Sequence, residues 1–346
     1  MSTDLLAGKR HAGRNTIYVV AEEDGLALAK RFDGPDVDRD RRFSNTVDWE
    51  KVQAIRGDDF SPRLLRTDPV ERRVWFPYLD SAETLQSQIE GRTSWSAVSD
   101  VLRDCGRRLG DVHSLTGQSL ILDLFTARPA LSEPPDPLAM FHAISGQQYA
   151  EASGGELECW ALFHHDHELR SALQAWMEDQ GQDPAIAPIH GDLRPDQFLI
   201  DGSRVHIIDW EEWTLGPTTR DLAGMVGALV FDALHGAFVR AAAATGGVGE
   251  VHANVLARAG EALAEVSVAT GAFLEGYAAA SPHPVDPVRL GRAIGWALLE
   301  RVLARAVFSH RLTTIDKAVA GIGRQALIDP DSATALVHQE AEDVPA

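Results

Sequence analysis

His190-Gly191-Asp192-Leu193-Arg194-Pro195-Asp196-Gln197 and, a few residues on, Val205-His206-Ile207-Ile208-Asp209 decide how this chain folds. Between them Phe198-Leu199-Ile200 has the aromatic and β-branched content of a strand, Asp201-Gly202 is turn chemistry, and 205–208 is the returning strand. A hairpin of this length brings its two ends together. Asp192, Gln197 and Asp209 should therefore converge at its open end. Two carboxylates and an amide oxygen form an all-oxygen donor set, which suits Mg²⁺ with bound phosphates.

Working outward, the amino-terminal side is small and β-rich. Thr16-Ile17-Tyr18-Val19-Val20 reads as a strand, residues 22–25 as a turn, and residues 26–32 as the hairpin partner. Residues 33–42 are charged and read as loop. A helix is expected over 46–55, with Val47, Val52 and Ile55 on its apolar face. Arg72-Arg73-Val74-Trp75-Phe76 is another strand, ending at Pro77. From Trp95 the pattern turns helical: Val101, Leu102, Leu109, Val112 and Leu115 recur at helical spacing. Further helices are expected over 138–152, 169–177, 221–244, 251–279 and 288–308, with a Pro-rich connector at 129–137. The class is α+β. The organisation is an amino-terminal lobe over residues 1–80, a helical lobe over 81–338, and an acidic tail over 339–346.

The 346 residues are 45% hydrophobic, enough for a substantial core split over about two lobes. The formal net charge of −19 repels nucleic acid and anionic membranes, so neither is expected as a partner, and it would attract cationic molecules. Cys105 and Cys159 make no disulfide framework and lack metal-ligand spacing. The start has no signal-peptide core, and no apolar run is expected to reach the roughly 18 residues of a membrane span, which points to the cytoplasm.

The string HGDLRPDQFLI followed by HIIDWEEWTLGPTTRDLA resembles the aminoglycoside phosphotransferase and choline kinase family. That family shows HGDxHPxN, then IDW or IDF, then G-P-x-x-x-D-L-A. The resemblance implies a two-lobed protein-kinase-like fold, a small antiparallel sheet with one helix above a large helical lobe. It also implies ATP and Mg²⁺ in the cleft between them. Asp192 resembles the catalytic base and Asp209 the metal-binding acid. Asp221 resembles the buried acid that braces the catalytic loop, beside His190. Gln197 stands where the family has Asn, one methylene longer, and Arg194 stands where many members have His. Arg194 can meet the transferred phosphate. Nearer the amino terminus, Gly13-Arg14-Asn15-Thr16-Ile17-Tyr18 resembles the family's nucleotide loop, which assigns Gly13 and Asn15 to the nucleotide. Lys30 resembles the phosphate-pairing lysine, with Glu50, in preference to Asp48, as the helix acid that orients it. Tyr78 and Leu79 fall at the hinge that contacts adenine.

Other residues are read from their surroundings. His164, His165 and His167 form a polar helix face rather than a zinc site, for lack of a second ligand group. His113 is expected to be a packed or hydrogen-bonded structural histidine. Trp210 and Trp213 flank the site and are candidates for a substrate wall. The expected reaction is transfer of a γ-phosphoryl group to a hydroxyl. The acceptor is a small molecule such as an aminoglycoside or other antibiotic or metabolite, or else the Ser/Thr of a precursor peptide acted on with a partner lyase. A pseudokinase binding module is the third reading, opposed by the retention of Lys30, Asp192 and Asp209.

Overall fold

The computed structural model describes residues 14–23, 25–57, 59–115, 121, 123, 137–242 and 248–334. Gly13 and the acidic tail lie outside them. β1 (Asn15–Glu22) and β2 (Gly25–Phe32) form the expected hairpin, with Ile17 opposite Lys30. After α1 (Asp36–Arg56), β3 (Arg66–Asp68) and β4 (Arg73–Pro77) complete a four-stranded antiparallel sheet of order β1-β2-β4-β3. Val20, Ala27, Ala29 and Trp75 form its small core.

Two expectations fail here. Residues 36–42 are helix, not loop, and strand β3 was not foreseen. The first turns of α1 are nearly all charged, and such a stretch carries no apolar periodicity. They hold as helix through ion pairs along the face: Arg42 Nε to Asp38 Oδ2 at 2.9 Å, Arg41 to Asp38 at 2.7 Å, and Arg39 to Asp36 at 3.1 Å.

The second lobe begins with β5 (Glu83–Thr84), α2 (Leu85–Glu90) and α3 (Ser99–His113). Next come α4 (Gly146–Glu151), α5 (Gly154–Phe163) and α6 (His167–Gln180). Ser145 and Ser153 start α4 and α5 with capping boxes, so the expected 138–152 helix is broken, and α5 was missed. The β segments of this lobe are β6 (Ile186–Ile189), β7 (Phe198–Asp201), β8 (Arg204–Ile207) and β9 (Thr214–Pro217). β7 and β8 are the expected hairpin, with β5 added on the β7 edge, while β6 pairs with β9.

The helices α7 (Thr218–Ala242), α8 (Val248–Ala280), α9 (Pro287–Ala306), α10 (Thr314–Ile328) and α11 (Pro330–Thr334) close the lobe; α10 was not foreseen. α3 and α8 touch backbone to backbone: a Cβ on Gly106 would sit 1.9 Å from the Phe273 carbonyl, and one on Gly276 1.9 Å from that of Arg103. Only glycine permits that approach.

α7 passes close under the loop after β6, for a Cβ on Gly224 would meet the Leu193 carbonyl at 2.7 Å. Residues Thr218–Arg240 are long and apolar enough to cross a membrane, contrary to the expectation from runs, but 67% of the most apolar window is buried inside the protein. It is a core helix of this lobe.

Candidate active site

The loop after β6 is bound to the molecule through its backbone. Gly191 has φ 85°, and a Cβ there would lie 2.6 Å from the Glu212 carbonyl, so conformation and space both demand glycine. Asp221, fully buried at the start of α7, accepts from His190 N at 2.6 Å and from Gly191 N at 2.9 Å. His113 Nε2 lies 3.2 Å from the same carboxylate, and its Nδ1 lies 3.0 Å from the Tyr277 hydroxyl. Burial alone would raise the Asp221 carboxyl; the bonds and charge of His113 and the His190 N–H hold it below its ordinary value. His190 ties the loop to the end of β8. Its Nδ1 accepts from Asp192 N at 3.3 Å, which leaves Nε2–H to donate to Ile208 O at 2.9 Å. His113, His190 and Asp221 are thus brought together beneath the loop.

The loop presents Asp192 to the cleft with its side chain half exposed. The surrounding protein raises the Asp192 carboxyl above its ordinary value by desolvation, against the opposing charge of Arg194. Arg194 lies 3.7 Å from Asp192 and 3.2 Å from Asp196, so two carboxylates hold it at the loop. Gln197 is buried, and its backbone takes part in two hydrogen bonds, N to Arg194 O at 3.0 Å and O from Ile208 N at 2.8 Å. The side-chain amide makes no hydrogen bond among the described residues. The second backbone bond joins the Gln197 loop to Ile208, the residue before Asp209, at the open end of the hairpin. Asp209 itself has φ 72° and ψ 43°, left-handed for a non-glycine residue, which costs on the order of 1–2 kcal/mol. That turn aims its carboxylate back at Lys30.

Lys30 is buried on β2 and pairs with both Asp209 and Glu211, the latter at 2.5 Å. Burial would lower its ammonium, but the two carboxylates more than offset this and hold its pKa above the ordinary value. Asp209 is held below its ordinary value by the same contact, against the effect of burial.

Glu50 does not pair with Lys30. It lies two turns of α1 beyond Arg42, where it binds Arg63 at 2.9 Å and accepts from Leu64 N at 3.2 Å. Asp48 binds Lys51 at 2.7 Å. Asn15, expected at the nucleotide, is engaged with protein groups: Nδ2 donates to Glu211 Oε2 at 2.8 Å, and Oδ1 accepts from Arg42 Nη1 at 2.5 Å. Tyr78 N donates to Leu26 O at 3.0 Å, which removes that N–H from any adenine contact; Leu79 is the next residue of the connection between lobes.

Trp210 and Trp213 are core residues, not a substrate wall. Trp210 stacks on Trp49 of α1 at 3.4 Å, and Trp213 Nε1 donates to Asn45 O at 2.7 Å. In the histidine cluster, Asp166 caps α6 and binds Arg324, so its carboxylate is committed to structure. Sequence reasoning missed Glu211, Glu212, Arg41 and Arg42. Arg41 and Arg14 reach Glu212 at 2.5 and 2.8 Å and tie the first lobe to the segment after Asp209. The acidic pair Glu211-Glu212 beside Asp209 was the available signal.

Residues 62–259 match the model of the phosphotransferase enzyme family APH. No curated protein sequence matches the chain. Among solved structures, the choline kinase LicA from Streptococcus pneumoniae superposes with a TM-score of 0.51 at 14% identity, over 93% of each chain. A choline/ethanolamine kinase family protein from Mesorhizobium loti superposes with a TM-score of 0.49 at 15% identity, over 97% of this chain and 91% of that one. The first likeness is one of fold: a kinase-like pair of lobes, the smaller carrying the antiparallel sheet. The family match spans the braced loop, the hairpin and Asp209, and by it the chain belongs to the phosphotransferase enzyme family.

Proposed function

We propose that this protein transfers the γ-phosphoryl group of ATP to a hydroxyl of a small molecule. The observation that carries the reading is the Asp192 carboxylate, held on a loop that Asp221 braces, opposite a buried Lys30 that meets Asp209. Asp192 accepts the proton of the attacking hydroxyl and orients its oxygen. A carboxyl pKa above the ordinary value makes the carboxylate a better proton acceptor. Lys30 receives phosphate oxygens from the first lobe, and Arg194 receives the transferred group.

The Asp209 carboxylate and the unengaged Gln197 amide are hard oxygen donors that fit Mg²⁺. When bound, Mg²⁺ neutralises phosphate charge. ATP use is consistent with the cytoplasm.

The surroundings of Asp192 bear on the acceptor. Arg194 and the half-buried Arg301 of α9 lie within electrostatic reach of each other and of Asp192. Arg301 has no carboxylate partner among the described residues and stands 5.9 Å from the Phe231 ring. Glu300 adds one acid. These two arginines stand among Asp192, Asp196 and Glu300, a mixed-charge wall that suits a polar acceptor. The test is ADP release across amino sugars, amino alcohols, hydroxy acids, aminoglycosides and Ser/Thr peptides. Turnover on a small alcohol supports the proposal. Turnover on peptides alone would replace it with the precursor-peptide kinase and its lyase. ATP binding with no transfer to any acceptor would favour a pseudokinase.

A further inference from the structure

We infer that Glu211, two residues past Asp209, is the positioning residue that holds Lys30 for phosphate binding, with Arg42 of α1 as its counter-cation. The inference rests on the kinase reading above and concerns how its lysine is oriented. Glu211 is buried and divides its oxygens. Oε2 takes Lys30 at 2.5 Å and Asn15 Nδ2 at 2.8 Å, while Oε1 faces Arg42 Nη1 at 3.5 Å. Its backbone carbonyl accepts from Asn45 Nδ2 at 2.8 Å, which fixes the segment against α1. Arg42, 1% exposed, is itself placed by Asp38 and by the Asn15 oxygen.

The acids of α1 are committed elsewhere: Asp36 to Arg39, Asp38 to Arg41 and Arg42, Asp40 to Arg72, Asp48 to Lys51 and Glu50 to Arg63. The helix therefore supplies a cation and two amides or carbonyls, and the segment after Asp209 supplies the acid. Two buried cations face two carboxylates. Once Asp209 is engaged by another cation, Glu211 is the group that keeps the Lys30 ammonium in the cleft. Without Glu211, Asp209 is the one carboxylate left on Lys30 among the described residues, and the ammonium competes with its other ligands.

The experiment is calorimetric titration of the full chain with Mg·ATP. Glu211→Gln should weaken binding about ten-fold or more, the size of a lost charged hydrogen bond. Glu211→Asp should recover part of the loss because the charge remains, and Glu50→Gln should bind like wild type. In a Lys30→Ala background, Glu211→Gln should add less than about two-fold, since the two residues act as one unit. A merely structural role would give additive losses, as would Glu211 acting on the metal; additivity overturns the inference. So would a Glu50→Gln loss equal to that of Glu211→Gln. If Glu211→Gln does not fold, the same cycle is run with Glu211→Asp. A wild type that binds no Mg·ATP removes the kinase reading, a result distinct from wild-type binding with an indifferent Glu211.

Discussion

Asp221→Ala probes the frame that holds the catalytic loop. The carboxylate is fully buried and receives the His190 and Gly191 amides at 2.6 and 2.9 Å, with His113 Nε2 at 3.2 Å. Removing it strands these donors where water cannot replace it. Each unsatisfied buried donor costs about 1–3 kcal/mol, and loss of one partner from a buried charged cluster costs about 3–5 kcal/mol in all. At roughly 2–3 °C per kcal/mol for a chain of this size, the thermal midpoint should fall by about 6–15 °C. The loop then loses its anchor one residue from Asp192, and a displacement of about 1 Å at the base costs on the order of 100-fold in kcat. The nucleotide side, built on Lys30, should keep its affinity within about three-fold. Differential scanning fluorimetry, ADP release and Mg·ATP titration read the three quantities. A midpoint shift below about 2 °C together with near-wild-type kcat would refute the bracing role.

Three further outcomes follow from the geometry. Asp209→Asn should weaken Mg·ATP binding and turnover together, because both the metal and Lys30 lose a carboxylate; an unchanged Mg²⁺ dependence would show that the metal binds elsewhere. Gln197→Asn, which shortens the amide by one methylene, should leave activity similar or higher if the amide meets the metal directly or through water; collapse of activity in a folded variant would assign the longer side chain to the acceptor. Asp316, buried at the start of α10 with Thr313 and Arg305 on its oxygens, has its carboxyl below the ordinary 3.8. A depressed folded-state pKa gives stability that is full above the unfolded value and fades as pH falls through the folded one. Asp316→Asn should therefore melt lower than wild type at pH 6, and the two curves should converge below about pH 3.8; a constant gap down to pH 3 would contradict this.

Local features were the legible ones. The β7–β8 hairpin announces itself by strand content and Asp201-Gly202, and its length alone brings Gln197 and Asp209 to one end. His190, His113 and Asp221 meet although Asp221 lies 31 residues from His190 and 108 from His113, so family resemblance rather than nearness in sequence was the signal. What stayed hidden depends on contacts between distant segments. Lys30 meets Glu211 across the lobes, and no pattern around residue 30 reports that. The charged face that disguises residues 36–42 as loop is the same face that carries Arg42 into the site. Trp210 and Trp213 sit next to the catalytic segment in sequence, yet a short 3-10 helix after the left-handed Asp209 sends them inward to Trp49. Neighbourhood in sequence there does not become neighbourhood in the cleft.

Asp192→Asn bears most directly on the account, because it removes the proton acceptor while keeping the shape of the loop. With an acceptor identified from the ADP-release screen, phosphoryl transfer by the variant should fall by about 100- to 10,000-fold, the range of a lost general base. Its Mg·ATP affinity should stay within about three-fold of wild type, since the carboxylate acts on the hydroxyl and not on the nucleotide. Turnover by Asp192→Asn comparable to wild type would contradict the assignment of the base and, with it, the mechanism built on this loop.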